Sequence, residues 1–232
     1  MLRKIYSLFG GGTRWSFAKP RPWTAVVGKA EARFARMEWA LNQVAQSAAG
    51  TGLLVECGVA AGASLAHMMA HSRGNALGYE VVGFDSFEGF PDASEYDSNK
   101  FRSDSPEFRV YRKFTQSVVR GNIADALSVP EADLSELTLV KGWIPESFAA
   151  FDFSKGIALL HLDVDLYEPY KASLEELWDH MLPGGLVLFD EYDVGRDEEK
   201  WPGAKKAIDE FCERGGLEIQ RHWTGRAHLQ KT

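Results

Sequence analysis

At 232 residues the chain is long enough for one large domain with a full hydrophobic core. Its hydrophobic content of 45% is ordinary for a globular protein, and its net charge of −7 argues against a nucleic-acid surface, which would need a basic stripe. The two cysteines show neither a zinc-binding nor a disulfide-framework spacing, so we expect a reducing, cytoplasmic location. We find neither a signal peptide nor a membrane-spanning run, and therefore expect no membrane partner.

Strands and helices alternate along most of the chain. Residues 1–28 are rich in Trp, Phe, Pro and Gly, and we predict an aromatic arm that packs on something, with a homodimer as the expected assembly. Residues 29–232 are predicted to form a single domain, in which the polar, turn-rich stretch 86–108 is a lid-like segment. The predicted helices are at 29–49, 61–71, 107–127 and 201–214. The predicted strands are at 53–57, 81–85, 137–141, 157–162 and 186–190, with one or two edge strands from 217.

Two of the predicted strands end in acidic residues. Asp163 and Asp165 follow one apolar run, and Asp190 and Glu191 end the next, after one helix and a Pro-Gly-Gly turn. Parallel strands of a βαβ unit end at the same edge of the sheet, so the four carboxylates should lie close together and repel unless a cation holds them. Oxygen ligands of this kind suit Mg²⁺ or Mn²⁺. The alternative is that these acids merely cap helices.

The turn after the first strand suggests a nucleoside ligand. Glu56 opens a stretch that contains Gly58 and Gly62 but not the dinucleotide fingerprint, and by itself it could be only a tight strand-to-helix turn. Asp85, at the tip of the next strand, is placed to accept hydrogen bonds from ribose hydroxyls. Because the glycine pattern does not favour pyrophosphate, S-adenosylmethionine fits better than NAD. Trp143, after the third strand, could stack on adenine or fill the core.

Five segments, taken together and in this order, resemble the macrocin, mycinamicin and novobiocin type of sugar O-methyltransferase, whose members depend on S-adenosylmethionine and magnesium. The segments are Glu56–Gly62, Asp85–Pro91, Lys141–Pro145, Leu162–Glu168 and Pro183–Tyr192. The resemblance covers residues 50–215. It implies an α/β fold of the Rossmann-like class I methyltransferase type, with a mostly parallel central sheet, helices on both faces and an antiparallel C-terminal edge strand. It also implies methylation of a hydroxyl on a sugar or a glycosylated natural product, a small-molecule acceptor.

The resemblance implies a role for individual residues. It assigns Asp163, Asp190 and Glu191 to the metal and Asp165 to the base that takes the hydroxyl proton. The expected cofactor-binding residues are Glu56, Gly58, Val59, Ala60, Ser64, Asp85, Ser86, Gly142, Trp143 and Asp163. The family usually has Asp-Asp-Tyr where this chain has Asp190-Glu191-Tyr192, and the longer glutamate bears on metal geometry and metal preference. Residues 92–108 align with nothing, and we expect substrate contacts there.

Two other functions remain open on the sequence. A metal-dependent hydroxylase or hydrolase on the same scaffold would turn over substrate without S-adenosylmethionine, but an obvious His₂-carboxylate iron triad is missing. A nucleoside-binding module without catalysis would tolerate Asp165→Asn. Of the residues near the motifs, Tyr167 and Tyr192 could pack in the core or touch substrate. His161 is expected to pack, or to support a metal ligand from behind, rather than to bind the metal itself. His67 and His71 share a helical face and are expected at the surface or an interface.

Overall fold

A computed structural model describes residues 29–47, 49–98, 110–192 and 199–232. The predicted aromatic arm at 1–28 and the second part of the lid-like segment, 99–108, therefore lie outside the described residues. Of the described helices, none is long and apolar enough to cross a membrane.

The described helices and strands follow the predicted alternation closely. Strands β1 and β4 are buried along their whole length, as expected for apolar runs covered on both faces of a sheet. The elements are α1 Lys29–Ala45, β1 Leu53–Cys57, α2 Ala63–Gly74, β2 Val81–Asp85, α3 Gln116–Leu127, β3 Leu137–Lys141, β4 Ile157–Leu162, α4 Tyr167–Leu177, β5 Met181–Phe189, α5 Pro202–Gly215, β6 Gln220–Arg221 and β7 Ala227–Gln230. Short 3₁₀ helices lie at Val110–Lys113, Glu131–Asp133, Glu146–Ala150 and Trp178–His180.

One seven-stranded sheet carries these elements in the order β3-β2-β1-β4-β5-β7-β6. The pairs from β3 to β5 are parallel, whereas β7 is antiparallel to β5 and β6 is antiparallel to β7. The predicted fold class is therefore confirmed, and the antiparallel edge consists of two strands. The strand order reverses between β1 and β4, and crevices outside the carboxyl ends of strands at such a point are where ligands bind in open α/β sheets.

Helices cover both faces of the sheet. One apolar core unites side chains of α1, α2 and α3 with one face, and a second core unites α4 and α5 with the other. The register brings the strand ends into line, because Cys57 of β1 is paired with both Phe84 of β2 and Leu162 of β4, and Leu162 is paired with Phe189 of β5. The residues that follow these four strand ends consequently share one edge.

Several predicted boundaries are wrong for local reasons. The helix predicted over 107–127 is divided into a 3₁₀ turn and α3, because Thr115 is extended and its side chain accepts a hydrogen bond from the amide of Val118. Gly62, with a φ of 88°, moves the start of α2 to Ala63. The predicted Pro-Gly-Gly turn before the last core strand lies inside β5 as an irregularity of its pairing with β4.

His67 and His71 are buried, contrary to the prediction that they lie at the surface or an interface. His67 Nε2 lies 3.0 Å from Glu38 Oε2, and His71 Nδ1 lies 3.1 Å from Glu38 Oε1. The difference arises because α1, which carries Glu38, packs over this face of α2. The pair of histidines is thus part of the contact between two helices.

Candidate active site

The four predicted acids lie at the carboxyl edge of the sheet. Asp163 directly follows β4 and Asp190 directly follows β5. One carboxylate oxygen each of Asp163, Asp165 and Glu191 lie within 4.8 Å of one another, and Asp163 and Asp190 form a second such group with His161. The convergence predicted from the βαβ unit is therefore present. Asp165 has a φ of 60°, a strained conformation that non-glycine residues rarely adopt and that is concentrated at functional sites.

Three arginines surround the acids, and the sequence analysis missed all of them. Arg33 of α1 bridges two acids, since its Nη1 lies 3.1 Å from Asp163 Oδ2 while its Nη2 donates to Asp190 Oδ2. Arg226, just before β7, donates from Nη1 to Asp190 Oδ1 at 2.8 Å. Both carboxylate oxygens of Asp190 are thus held by guanidinium groups. Arg36 is fully buried and donates to the carbonyl oxygen of Phe189 at 2.5 Å.

A signal for one of these arginines was present in the sequence. Arg36 lies between Ala32 and Ala40 on the apolar stripe of α1, where an arginine needs buried partners. Its side chain makes those contacts with backbone carbonyls of β5 and β7, the second being Ala227 at 2.7 Å. Which partner it would find could not be inferred from the stripe.

The arginines divide the acids into two kinds. Burial alone would raise the pKa of Asp190, but Arg33 and Arg226 outweigh it and hold that pKa below its ordinary value. Burial raises the pKa of Asp163 to about 6, against the opposing effect of Arg33. Burial, together with repulsion from Asp163, raises the pKa values of Asp165 and Glu191 well above their ordinary range. Asp165 and Glu191 are therefore the least compensated of the four carboxylates, while Arg33 partly compensates Asp163.

This donor set fits a hard divalent cation. Three carboxylates with oxygens within 4.8 Å of one another supply the ligand type that Mg²⁺ and Mn²⁺ prefer. Their raised pKa values indicate carboxylates whose charge is only partly compensated, and a cation would compensate it further. Asp190, also predicted as a ligand, lies beside the group but is engaged by arginines.

Two tyrosines that were not singled out from the sequence also lie near the acids. The hydroxyl of Tyr170, a fully buried residue of α4, lies 2.5 Å from Glu191 Oε2 and 2.8 Å from the carbonyl oxygen of Leu162. It thereby fixes Glu191 relative to the end of β4. Tyr111 lies near the same acids, since burial and the charges of Asp165 and Asp163 raise its pKa.

The glycine turn after β1 lies beside the acids. Gly58 has a φ of 83°, and a Cβ atom there would lie 1.9 Å from the carbonyl oxygen of Asp163. Asp85 holds the turn: its Oδ2 accepts from the amides of Val59 at 2.8 Å and Ala60 at 3.3 Å, and its Oδ1 accepts from Phe87 at 2.7 Å. The predicted ribose-binding acid is therefore in contact with the predicted cofactor turn.

The remaining predicted cofactor residues lie around this turn. Glu56 is buried with Oε1 2.9 Å from Nδ1 of His161, which agrees with the expected packing role of that histidine. Ser64 is buried in the first turn of α2. Ser86 shapes the following turn by donating to the carbonyl oxygen of Gly89 at 2.7 Å, and the amide of Gly142 donates to the carbonyl oxygen of Asp85 at 3.0 Å.

Trp143 is 40% exposed, which favours a ligand contact over the alternative that it fills the core. It lines a cavity of about 600 Å³, together with Phe87, Glu88, Phe90, Pro91, Asp92 and Arg112. Tyr167 and Tyr192, in contrast, are buried and bind α5, since their hydroxyls lie 2.8 Å from Glu210 and 2.6 Å from Asp209. For these two tyrosines the packing alternative is the one that the contacts favour.

Replacement of Gly58 by alanine is expected to destabilise the fold strongly. Its Cβ would collide with the Asp163 carbonyl oxygen, in addition to the cost of a positive φ. Gly78→Ala is the matched control, because its φ is 70° and no described atom lies within 4 Å of the added Cβ. We expect a loss of about 1–2 kcal/mol for Gly78→Ala and at least about 2 kcal/mol more for Gly58→Ala, measured by urea unfolding. Equal losses would show that the collision is relieved without cost.

The sheet order, the helices on both faces and the glycine turn beside acid-tipped strands are those of the Rossmann-like class I methyltransferase fold. The model of the macrocin-O-methyltransferase (TylF) family matches residues 9–222, and the chain belongs to that family. The match extends beyond both ends of the resemblance seen over 50–215. It includes most of the segment 1–28, which the sequence analysis separated as an arm.

Individual relatives agree with this assignment. The 8-demethyl-8-(2,3-dimethoxy-alpha-L-rhamnosyl)-tetracenomycin-C 4'-O-methyltransferase of Streptomyces olivaceus is 29% identical over 151 residues, which is 62% of this chain and 54% of the relative. The match thus spans about half the length of that relative. The structure of the O-methyltransferase NovP has a TM-score of 0.66 at 24% identity, over 87% of this chain and 80% of that chain. The calicheamicin methyltransferase CalS11 has a TM-score of 0.67 at 23% identity, over 99% of this chain and 91% of that chain, and both structures share the fold.

Proposed function

We propose that this protein transfers a methyl group from S-adenosylmethionine to a hydroxyl of a sugar or a glycosylated natural product, aided by a divalent metal ion. The observation that carries the proposal is the group of Asp163, Asp165 and Glu191, whose oxygens lie within 4.8 Å of one another at the sheet edge that also bears the glycine turn. Membership of the macrocin O-methyltransferase family supports the type of reaction.

The cofactor would lie across the turn that Gly58 opens. S-adenosylmethionine supplies a methyl group already activated on sulfur, so the protein has only to place and deprotonate the acceptor hydroxyl. Asp85 Oδ2 accepts from two amides, but Oδ1 accepts from one and keeps lone-pair capacity with which it can accept from a ribose hydroxyl. Trp143, exposed beside this turn, would stack on the adenine.

The metal ion would be held by Asp163 and Glu191, with Asp165 at its side. Mg²⁺ or Mn²⁺ bound there would lower the pKa of the acceptor hydroxyl and fix its position. Asp190 would steady the site through Arg33 and Arg226, and would reach the ion after one of these guanidinium groups moves away. Tyr170 would keep the Glu191 carboxylate in place.

Asp165 would act as the base. Its carboxylate accepts the hydroxyl proton, and its raised pKa, caused by burial and by Asp163, makes it a stronger base than an ordinary aspartate. Arg33 pairs with Asp163 and so restrains the Asp163 carboxylate, which is the neighbour of Asp165. Positioning of the two reactants can lower the barrier by roughly 7 kcal/mol or more, to which the base and the ion add.

A sugar acceptor is favoured by the relative from Streptomyces olivaceus, whose name places its methyl group on a rhamnosyl derivative of tetracenomycin C. Rhamnosyl derivatives of tetracenomycin C are therefore the first acceptors to test. Tyr111, whose pKa is raised by burial and by the nearby charge of Asp165, would contact that acceptor.

The test combines binding and turnover. The protein is incubated with S-adenosylmethionine, Mg²⁺ and a panel of rhamnosides, and mass spectrometry detects the gain of one methyl group. We expect methylation that excess EDTA abolishes and that Mg²⁺ or Mn²⁺ restores. Undiminished methylation in EDTA would contradict the metal role. Turnover without S-adenosylmethionine would favour the hydroxylase or hydrolase, and cofactor binding without turnover of any acceptor would favour the binding module.

A further inference from the structure

Asp97, in the segment after β2, has a buried carboxylate at the N-terminal ends of α4 and α5. Its Oδ1 accepts a hydrogen bond from the amide of Tyr167 at 2.9 Å. Its Oδ2 accepts from the amide and the hydroxyl of Ser94, both at 2.8 Å. On the side of α5 it lies against Gly203, where a Cβ atom would be 1.9 Å from Asp97 Oδ1. The carboxylate therefore occupies a place that a side chain on Gly203 would fill.

Helix α4 lacks a cap of its own. Leu166, which precedes it, is apolar and makes no side-chain capping bond, and Pro169 in the first turn has no amide hydrogen. The first amides of a helix need acceptors, and a negative charge at this end is favourable. Asp97, from a segment 70 residues earlier, supplies the acceptor for the amide of Tyr167 and a negative charge at this end of the helix.

Further contacts tie the same segment to both helices. The ring of Tyr96 lies 4.6 Å, between centroids, from the ring of Tyr167, and Lys206 Nζ of α5 lies 4.7 Å from the centroid of Tyr96. Lys206 in turn pairs with Glu210 at 2.6 Å, and Glu210 accepts from the hydroxyl of Tyr167. Asp97 is thus one of several links between this segment and the two helices.

The link matters because of the chain just before α4. The amide of Leu166 donates to the carbonyl oxygen of Val164 at 2.6 Å, which closes a three-residue γ-turn around Asp165. With a φ of 60° at its centre, this is the rarer and strained form of that turn. Strained residues persist where their surroundings over-determine them. The Asp97 bond to Tyr167 holds the chain two residues after the strained acid.

We propose that Asp97 is a positioning residue for Asp165: it ties the segment after β2 to the start of α4 and so keeps the strained turn in the conformation that aims Asp165 at the metal-binding acids. The inference rests on the proposed function, in which Asp165 is the base. Asp97 acts through Tyr167 and is not itself placed at the reacting atoms.

The first experiment needs no turnover. Amide hydrogen exchange of wild type, Asp97→Ala and Asp97→Asn is followed by mass spectrometry in peptides that cover residues 164–177. We expect exchange at Tyr167 to accelerate by about tenfold in Asp97→Ala and by less in Asp97→Asn, since asparagine retains one acceptor oxygen. Asp152→Ala is the matched control: Asp152 accepts from the amide and hydroxyl of Ser154 at 2.9 and 2.8 Å, but it is exposed and lies outside the site. Unchanged exchange in Asp97→Ala overturns the proposal.

The second experiment separates positioning from general damage. We expect kcat to fall by about tenfold to a hundredfold in Asp97→Ala, with partial recovery in Asp97→Asn, while the Kd for S-adenosylhomocysteine stays within about twofold of wild type. A purely structural role would weaken cofactor binding in step with kcat, and unchanged kcat would also overturn the proposal. If the wild type methylates no acceptor, the proposed function fails, and the exchange at Tyr167 still decides whether Asp97 holds the start of α4.

A double-mutant cycle tests the same contact from the other side. Gly203→Ala should displace the Asp97 carboxylate and lower kcat in the wild-type background. In the Asp97→Ala background, Gly203→Ala should lower kcat by a clearly smaller factor, because the carboxylate that it displaces is already absent. Additive effects on kcat would show that the two positions act independently and would contradict the proposal.

Discussion

Replacement of Asp165 by asparagine is expected to lower kcat by about a hundredfold to ten thousandfold, the range that general-base catalysis contributes. Asparagine is the informative substitution because it tolerates a positive φ better than alanine does, so the strained turn is preserved. The amide cannot accept the hydroxyl proton at neutral pH. Turnover under saturating S-adenosylmethionine, Mg²⁺ and acceptor measures the effect.

The same variant should gain stability as it loses activity. Burial and the charge of Asp163 already raise the pKa of Asp165, so removing its charge relieves repulsion. We expect the free energy of unfolding without metal to rise by about 1 kcal/mol, as is common for acids held at functional sites. The Kd for S-adenosylhomocysteine should change little. Asp152→Asn serves as the control at an exposed site, and we expect its kcat to equal that of wild type. If the kcat of Asp165→Asn lies within threefold of the control's kcat, Asp165 is not the base.

Replacement of Arg33 by methionine is expected to lower the free energy of unfolding by about 2–4 kcal/mol in the absence of divalent ions. The arginine side chain is only 19% exposed and bridges Asp163 and Asp190, so its removal leaves two close, poorly solvated carboxylates with less compensation. Methionine keeps much of the volume and the apolar contacts of the stem. Urea unfolding measures the loss.

Divalent metal ions should offset the loss of stability in Arg33→Met. We expect Mn²⁺ to bind Arg33→Met about tenfold more tightly than wild type by calorimetry, and saturating Mg²⁺ to recover more stability in the variant than in wild type. The control is Arg214→Met, because Arg214 pairs with Glu175 at 2.7 Å on an exposed surface, where a change below about 1 kcal/mol is expected. An Arg33 variant with unchanged stability and unchanged Mn²⁺ affinity would contradict the role of Arg33 as the internal counter-charge.

The strand tips were predictable because their position follows from local patterns. Apolar runs ending in acids, separated by one helix, place Asp163 and Asp190 at the same sheet edge whatever the rest of the chain does. The same reasoning placed Asp85 beside the Gly58 turn, and the structure adds hydrogen bonds that the amides of Val59 and Ala60 donate to Asp85. The boundaries of α2 and α3 were missed because single residues, Gly62 and Thr115, set them through backbone conformation and capping.

The sequence by itself determined the alternation of strands and helices and which carboxylates would meet, since both depend on periodicity and on the geometry of a βαβ unit. Only the tertiary structure decided which of these carboxylates are compensated. Arg33 pairs with Asp190 across 157 residues of chain, and Asp97 caps α4 from a segment 70 residues away. No local pattern specifies which face of α1 will lie over a strand tip, because that depends on how separate elements pack against the completed sheet.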